Sequence, residues 1–186
     1  VYADTGSFTV TLTAVSPTDC DSSVSQQVTV IPGPSATFTF NKVCLGIGTT
    51  FNPSVITPPG TSVDSIVWDF GDGTTFTGLS SPIHGYLAPG TYAVSMTAYN
   101  SLLCTGTYTD SVEVYPLPAA AFTTSNLCSN STTLFDGTTS SVANATITGW
   151  VWNFDGLGTA TGATPDFVFS DSGSYDVTLI VSTIHG

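Results

Sequence analysis

Apolar and polar side chains alternate along most of this chain. Tyr92, Val94, Met96 and Ala98 fall on one face of a run whose other face carries Thr91, Ser95 and Thr97, the period-2 pattern of a half-buried strand. Equivalent positions hold Phe8, Val10, Leu12 and Ala14 earlier, and Tyr175, Val177, Leu179 and Val181 later. A second stripe, Ile66, Trp68 and Phe70, is matched by Trp150, Trp152 and Phe154, while Val112 and Val114 are matched by Val28 and Val30. No stretch keeps apolar residues at helical spacing for three turns, so the pattern predicts almost no α-helix. Two sheets facing each other are the economical way to bury such stripes.

The stripes belong to an internal repeat. Gly6-Ser7-Phe8 returns as Gly90-Thr91-Tyr92 after 84 residues and as Gly173-Ser174-Tyr175 after a further 83. Cys20 maps to Cys104 and Cys44 to Cys128, both at 84. The Pro-containing links near 32–34 and 116–118 are natural boundaries, because Pro resists a central strand and stiffens a connector. The predicted organisation is therefore 1–33 as the C-terminal part of one module, 34–117 as a complete module, and 118–186 as a module lacking its last strand. That strand would correspond to Thr107–Tyr115. The phase of the repeat predicts a native protein that continues in both directions.

Composition narrows the partners. One basic side chain, Lys42, stands against 13 acidic ones, for a formal charge of -12. Nothing displaces counterions from phosphates, which argues against nucleic acid, or adsorbs to an anionic membrane. No apolar run approaches the ~20 residues that span a bilayer. Apolar residues make up 41% of the chain, enough to support a folded core over disorder.

One segment carries a family resemblance. Asp69-Phe70-Gly71-Asp72-Gly73 follows Trp68 at a strand end, and Pro89-Gly90-Thr91-Tyr92-Ala93-Val94-Ser95-Met96 opens the long alternating strand. The pairing resembles the PKD domain, with its WDFGDG segment and PGTYxVxLxV-like strand. The third module departs from it at Trp152-Asn153-Phe154-Asp155-Gly156, though Gly173 and Tyr175 keep the later half. The resemblance implies an all-β fold of tandem Ig-like, PKD-type antiparallel β-sandwiches joined by short Pro-containing links. It also implies spacer or adhesive modules in surface proteins, or modules accompanying secreted proteases and chitinases. The contexts Val43-Cys44-Leu45-Gly46 and Leu103-Cys104-Thr105-Gly106 resemble the cysteine-containing variety in large secreted proteins of Bacteroidetes, among them adhesins and gliding-associated filaments.

Candidate chemistry is sparse. Asp69 and Asp72 are a carboxylate pair, but on a short turn they are expected to accept turn amides rather than flank a glycosidic bond. Calcium is the only cofactor suggested, with Asp69, Asp72 and Asp155 as weak candidates, and Asp19, Asp21, Asp171 and Asp176 read as solvated loop residues. His84 and His185 stand alone, without zinc-ligand spacing. No nucleophile elbow, P-loop or dinucleotide fingerprint occurs. Trp68 and Trp152 fall on the buried stripe, so they are expected in the core rather than stacked on sugar. Asn130-Ser131-Thr132 and Asn144-Ala145-Thr146 are sequons, usable only in a host that glycosylates them.

Cys20, Cys44, Cys104 and Cys128 at regular positions suggest an oxidising, extracellular setting. Staples across each link, Cys20–Cys44 and Cys104–Cys128, place partners two strands apart, beyond the ~7 Å limit for a disulfide. Bonding each early cysteine to the turn cysteine of the following module, or pairing Cys44 with Cys104 inside one module, are the two alternatives. The functional expectation is a non-catalytic extracellular stalk that presents other domains at a cell or filament surface. The alternative is a set of accessory modules of a secreted hydrolase that hold a polysaccharide or protein polymer. Expected partners are neighbouring modules, with surface glycans, other proteins or like subunits of a fibre as further candidates.

Overall fold

A computed structural model describes residues 2–17 and 20–185. Among them there is no α-helix, and sixteen strands carry the fold. The first repeat contributes a hairpin of β1 (Gly6–Ala14) and β2 (Ser22–Val30). The second supplies β3 (Ser35–Phe40), β4 (Val43–Cys44), β5 (Thr49–Ile56), β6 (Val63–Asp69), β7 (Thr75–Thr77), β8 (Ile83–His84), β9 (Gly90–Asn100) and β10 (Thr105–Tyr115). The third supplies β11 (Thr123–Ser125), β12 (Thr132–Asp136), β13 (Ile147–Phe154), β14 (Thr159–Thr161), β15 (Asp166–Val168) and β16 (Val177–Thr183).

Sheet order repeats with the sequence. Strands run β3-β5-β8 and β4-β10-β9-β6-β7 in the second repeat, and β11-β12-β15 and β14-β13-β16 in the third. By contact the chain forms two compact units, one of Val1–Thr39, Phe51–Pro82 and Ala93–Asp110, the other of Phe40–Thr50, Ile83–Tyr92 and Ser111–Gly186.

In the first unit, Trp68 packs between Phe38 (centroids 5.1 Å) and Phe51 (5.5 Å), with Phe70 stacked nearly parallel to it at 6.3 Å. Val94, Met96 and Ala98 of β9 close over them with no exposed surface. In the second unit the same quartet recurs 84 residues on. Trp152 meets Phe122 (5.2 Å) and Phe135 (5.5 Å), and Phe154 stacks at 6.4 Å. The inward set is fixed by pleat alternation, and truncating such an aromatic to Ala costs about 3–5 kcal/mol. The all-β, tandem-sandwich expectation therefore holds.

One expectation fails. Val10, Leu12 and Val28 lie on stripes predicted to be buried, yet they are 45%, 69% and 39% exposed. The hairpin register is regular from Gly6↔Val30 to Ala14↔Ser22. Its opposite face is zipped by hydroxyl bonds, Ser7 to Thr29 and Thr11 to Ser25. Alternation dictated which side chains share a face, but among the described residues no second sheet covers that face.

Candidate functional site

The family-like turn is built around its carboxylates. Gly71 N–H donates to Asp69 Oδ1 at 2.9 Å, and Asp72 Oδ1 accepts from the Thr74 amide (3.0 Å) and hydroxyl (2.6 Å). Phe70 N–H closes the loop onto the Thr74 carbonyl. The third repeat makes the same turn from different residues, with Asn153 Oδ1 accepting from Gly156 N–H at 2.8 Å and Phe154 N–H bonding the Gly158 carbonyl. Asp155 stands where Gly71 does, and both take positive φ, 54° and 76°. Short acidic side chains tolerate that region better than most. The pair is thus a turn brace, and its oxygens satisfy backbone donors that a strand end leaves open.

Other acidic groups behave alike. Asp136 Oδ1 accepts from the Thr138 hydroxyl (2.6 Å) and amide (2.9 Å). The hydroxyl first and the amide second hold its carboxyl below the ordinary 3.8. Asp21 Oδ1 accepts from Ser16 N–H, and Asp19 lies outside the described residues. Among the described residues, no group of three or more His, Cys, Asp or Glu could hold a metal ion, and no helix is long and apolar enough to cross a membrane.

The histidines pack on rings. His84, on β8, meets Tyr86 edge-on at 4.7 Å, and His185 lies flat on Tyr115 at 3.6 Å and 7°. All four cysteines are free thiols. Cys44 is the register partner of Tyr115, the last residue of β10, whereas Cys104 immediately precedes its first residue, Thr105. Ten residues of extended strand at ~3.3 Å each lie between those ends, too far for a bond within the module.

Both core indoles face inward, each with no exposed surface. Trp150 is half-buried and donates its Nε1–H to the Gly137 carbonyl at 3.1 Å. No in-phase platform of exposed Trp repeats across the described residues.

Sequence reasoning missed two features. Asn100, fully buried at the end of β9, accepts the Leu102 and Cys104 amides on Oδ1, each at 3.0 Å, and so shapes the turn into β10. An Asn ending an apolar stripe was the available signal. The second is an open trough of about 800 Å³ in the third repeat, lined by Phe122, Leu127, Phe135, Phe169, Tyr175 and Val177 among others.

The chain is similar to several known proteins. The chain is 38% identical over 94 residues, half of its length, to "Microbial collagenase" of Vibrio alginolyticus, and spans 11% of that protein. Among solved structures it is similar to the PKD1 domain of Vibrio anguillarum Epp, at 26% identity, covering 44% of this chain and 93% of that one with a TM-score of 0.40. It is also similar to the PKD1 domain of the Vibrio cholerae metalloprotease PrtV, at 24% identity, covering 44% and 96% with a TM-score of 0.39. The family model for the PKD domain matches residues 32–115 and, a second time, 113–186. With both matches in direct succession over most of its length, the chain belongs to the PKD domain family.

Proposed function

We propose that these repeats are non-catalytic accessory modules of a secreted hydrolase, working outside the cell to hold a protein polymer near the enzyme. The observation that carries this reading is the 38% identity over 94 residues to a protein named for collagen cleavage. Two features of the chain support it. The carboxylates that resemble a catalytic pair brace their own turn. The core indoles point inward, which favours a protein polymer over a polysaccharide, since sugars are held by stacking on exposed rings.

A second reading, a structural or adhesive stalk at a cell or filament surface, draws on the direct succession of two family matches, because a rod needs consecutive modules. Co-sedimentation of the chain with insoluble collagen, chitin and cellulose separates the readings. Saturable binding to collagen alone supports the accessory role. Binding to chitin or cellulose moves the ligand to polysaccharide, and a bound fraction no greater than that of an inert protein of equal charge leaves the stalk.

A further inference from the structure

Two turns in successive repeats are built alike. Asn100, at the end of β9, pairs with Val63, and Thr183, at the end of β16, pairs with Ile147 in the matching register. Each accepts on its side-chain oxygen the N–H two residues later, Asn100 from Leu102 at 3.0 Å and Thr183 from His185 at 3.1 Å. Leu102 and His185 therefore hold the same place in the same turn. In the second compact unit, His185 lies flat on Tyr115, the last residue of the preceding repeat's β10. A step of 84 residues back from Tyr115 leads to Ile31, one residue past β2.

In the first unit, the backbone brings Ile31 to the turn that carries Leu102. A Cβ on Gly33 would collide with the Thr105 carbonyl, and one on Gly106 with the Pro34 carbonyl, so the two segments run side by side. Pro34 is buried there. Ile31 stands two residues before Gly33, and Leu102 three before Thr105, so at ~3.3 Å per residue both fall at one level. Every residue of β2 but the last is exposed, whereas Val30 and Ile31 are partly covered. The turn offers apolar surface for that cover, with Leu102 62% and Leu103 75% exposed. Leu103 holds φ at 60°, a strained region for a leucine and one that persists where its surroundings impose it.

We infer that this turn is the seat on which each repeat receives the end of the one before it. The pair of side chains at the seat is matched joint by joint, Tyr115 with His185 and Ile31 with Leu102. The partner is the preceding repeat of the same chain. Ring on ring and aliphatic on aliphatic each bury complementary apolar faces. A crossed pair loses that fit, so the seat is selective for its own neighbour. An accessory module and a stalk would use such a joint equally.

The test uses the whole chain with labelled methyl groups. NOE cross-peaks between the Ile31 and Leu102 methyls are expected, and their absence overturns the inference with no substitution made. At the other joint the Leu45 amide donates to the Tyr115 carbonyl at 2.8 Å and reports on the end of β10. Its exchange is expected to quicken about tenfold in Tyr115→Ile and in His185→Leu, where the pair is crossed. The double variant is expected to return within about twofold of native. A double variant as fast as the single ones overturns the matching, as does native exchange in both single variants. The Trp152 indole resonance checks that the third repeat stays folded, and the methyl cross-peaks decide alone if it does not.

Discussion

The Tyr175 hydroxyl donates to the Asp171 carbonyl at 2.8 Å, repeating the bond that Tyr92 makes to Ala88 at the same distance. Each ring also stacks on an aromatic neighbour, Phe169 at 4.3 Å and Tyr86 at 4.0 Å. A tyrosine reaching back four residues at a strand entrance is the corner device of Ig-type sandwiches. It ties the approach segment to the strand. Tyr175→Phe and Tyr92→Phe keep the stacking and remove only the bond, so each is expected to cost about 1 kcal/mol. Urea unfolding measures it, and unchanged midpoints in both variants would show that the hydroxyl contributes nothing beyond its exchange with water.

The two core indoles differ in one bond. Trp152 Nε1–H donates to the Gly162 carbonyl at 2.9 Å, while Trp68 Nε1–H is buried with no partner. A buried donor without a partner carries a desolvation penalty, and removing it relieves that penalty. Trp→Phe shrinks the core similarly in both repeats. Trp152→Phe is therefore expected to destabilise its repeat by about 1–2 kcal/mol more than Trp68→Phe does. Amide exchange of β13 and β6 resolves the two repeats, and equal losses would count against the indole bond.

Much of this was legible in the residues. Trp68 in β6, Phe70 one residue past its end, and Trp152 and Phe154 in β13 fall at alternate positions, and the pleat leaves them one place to go. A brace role for Asp69 was readable from a short acidic side chain beside glycines, and in the fold its Oδ1 accepts from the Gly71 amide. Val10 and Leu12 show the limit. Period 2 assigns a side to each residue of β1 and β2, but burial depends on a partner sheet that a local pattern does not encode. Asn100 left only a faint mark, an Asn ending an apolar stripe, because its value lies in two amides of a turn that exists only once β9 and β10 have formed.

In the second repeat the two turn glycines differ in what replacing them costs. Gly71 has φ +76°, and a Cβ built on it would lie 2.6 Å from the Ala93 carbonyl oxygen. Gly73 has φ +89° and open space around the same atom. Gly73→Ala therefore pays only for its backbone region, about 1 kcal/mol, whereas Gly71→Ala adds a backbone clash and is expected to lose about 2–4 kcal/mol. Thermal or urea unfolding of the two variants decides, and equal losses would mean that β9 shifts freely at Ala93.

Tyr115 ends β10 as the register partner of Cys44 and is itself stacked on His185. Register partners on neighbouring strands share a face of the sheet, which sets the ring beside the thiol. Tyr115→Ala is expected to raise the rate of Cys44 modification by a water-soluble thiol reagent by about tenfold through local opening, while the rate at Cys128 stays constant. Peptide mapping after timed labelling reads both sites. A uniform increase at every thiol would indicate global loosening instead.

Asp136 makes stability depend on acid. Its folded carboxyl titrates below 3.8 because the Thr138 hydroxyl, and then the Thr138 amide, bond the ionised form. A carboxylate whose folded value is depressed contributes stability that is fully present above its unfolded value and is lost as pH falls through the folded one. The contribution is therefore complete at neutral pH and is lost as pH falls below 3.8 through the lower folded value. Thr138→Ala deletes the larger of the two bonds, so Asp136 should titrate closer to 3.8 in the variant, whereas Thr138→Ser should keep the native value. Carboxyl NMR titration gives the shift directly. Unfolding midpoints of native chain and Thr138→Ala should differ at neutral pH and converge in acid, and a difference that stays constant across that range would assign Thr138 to packing alone.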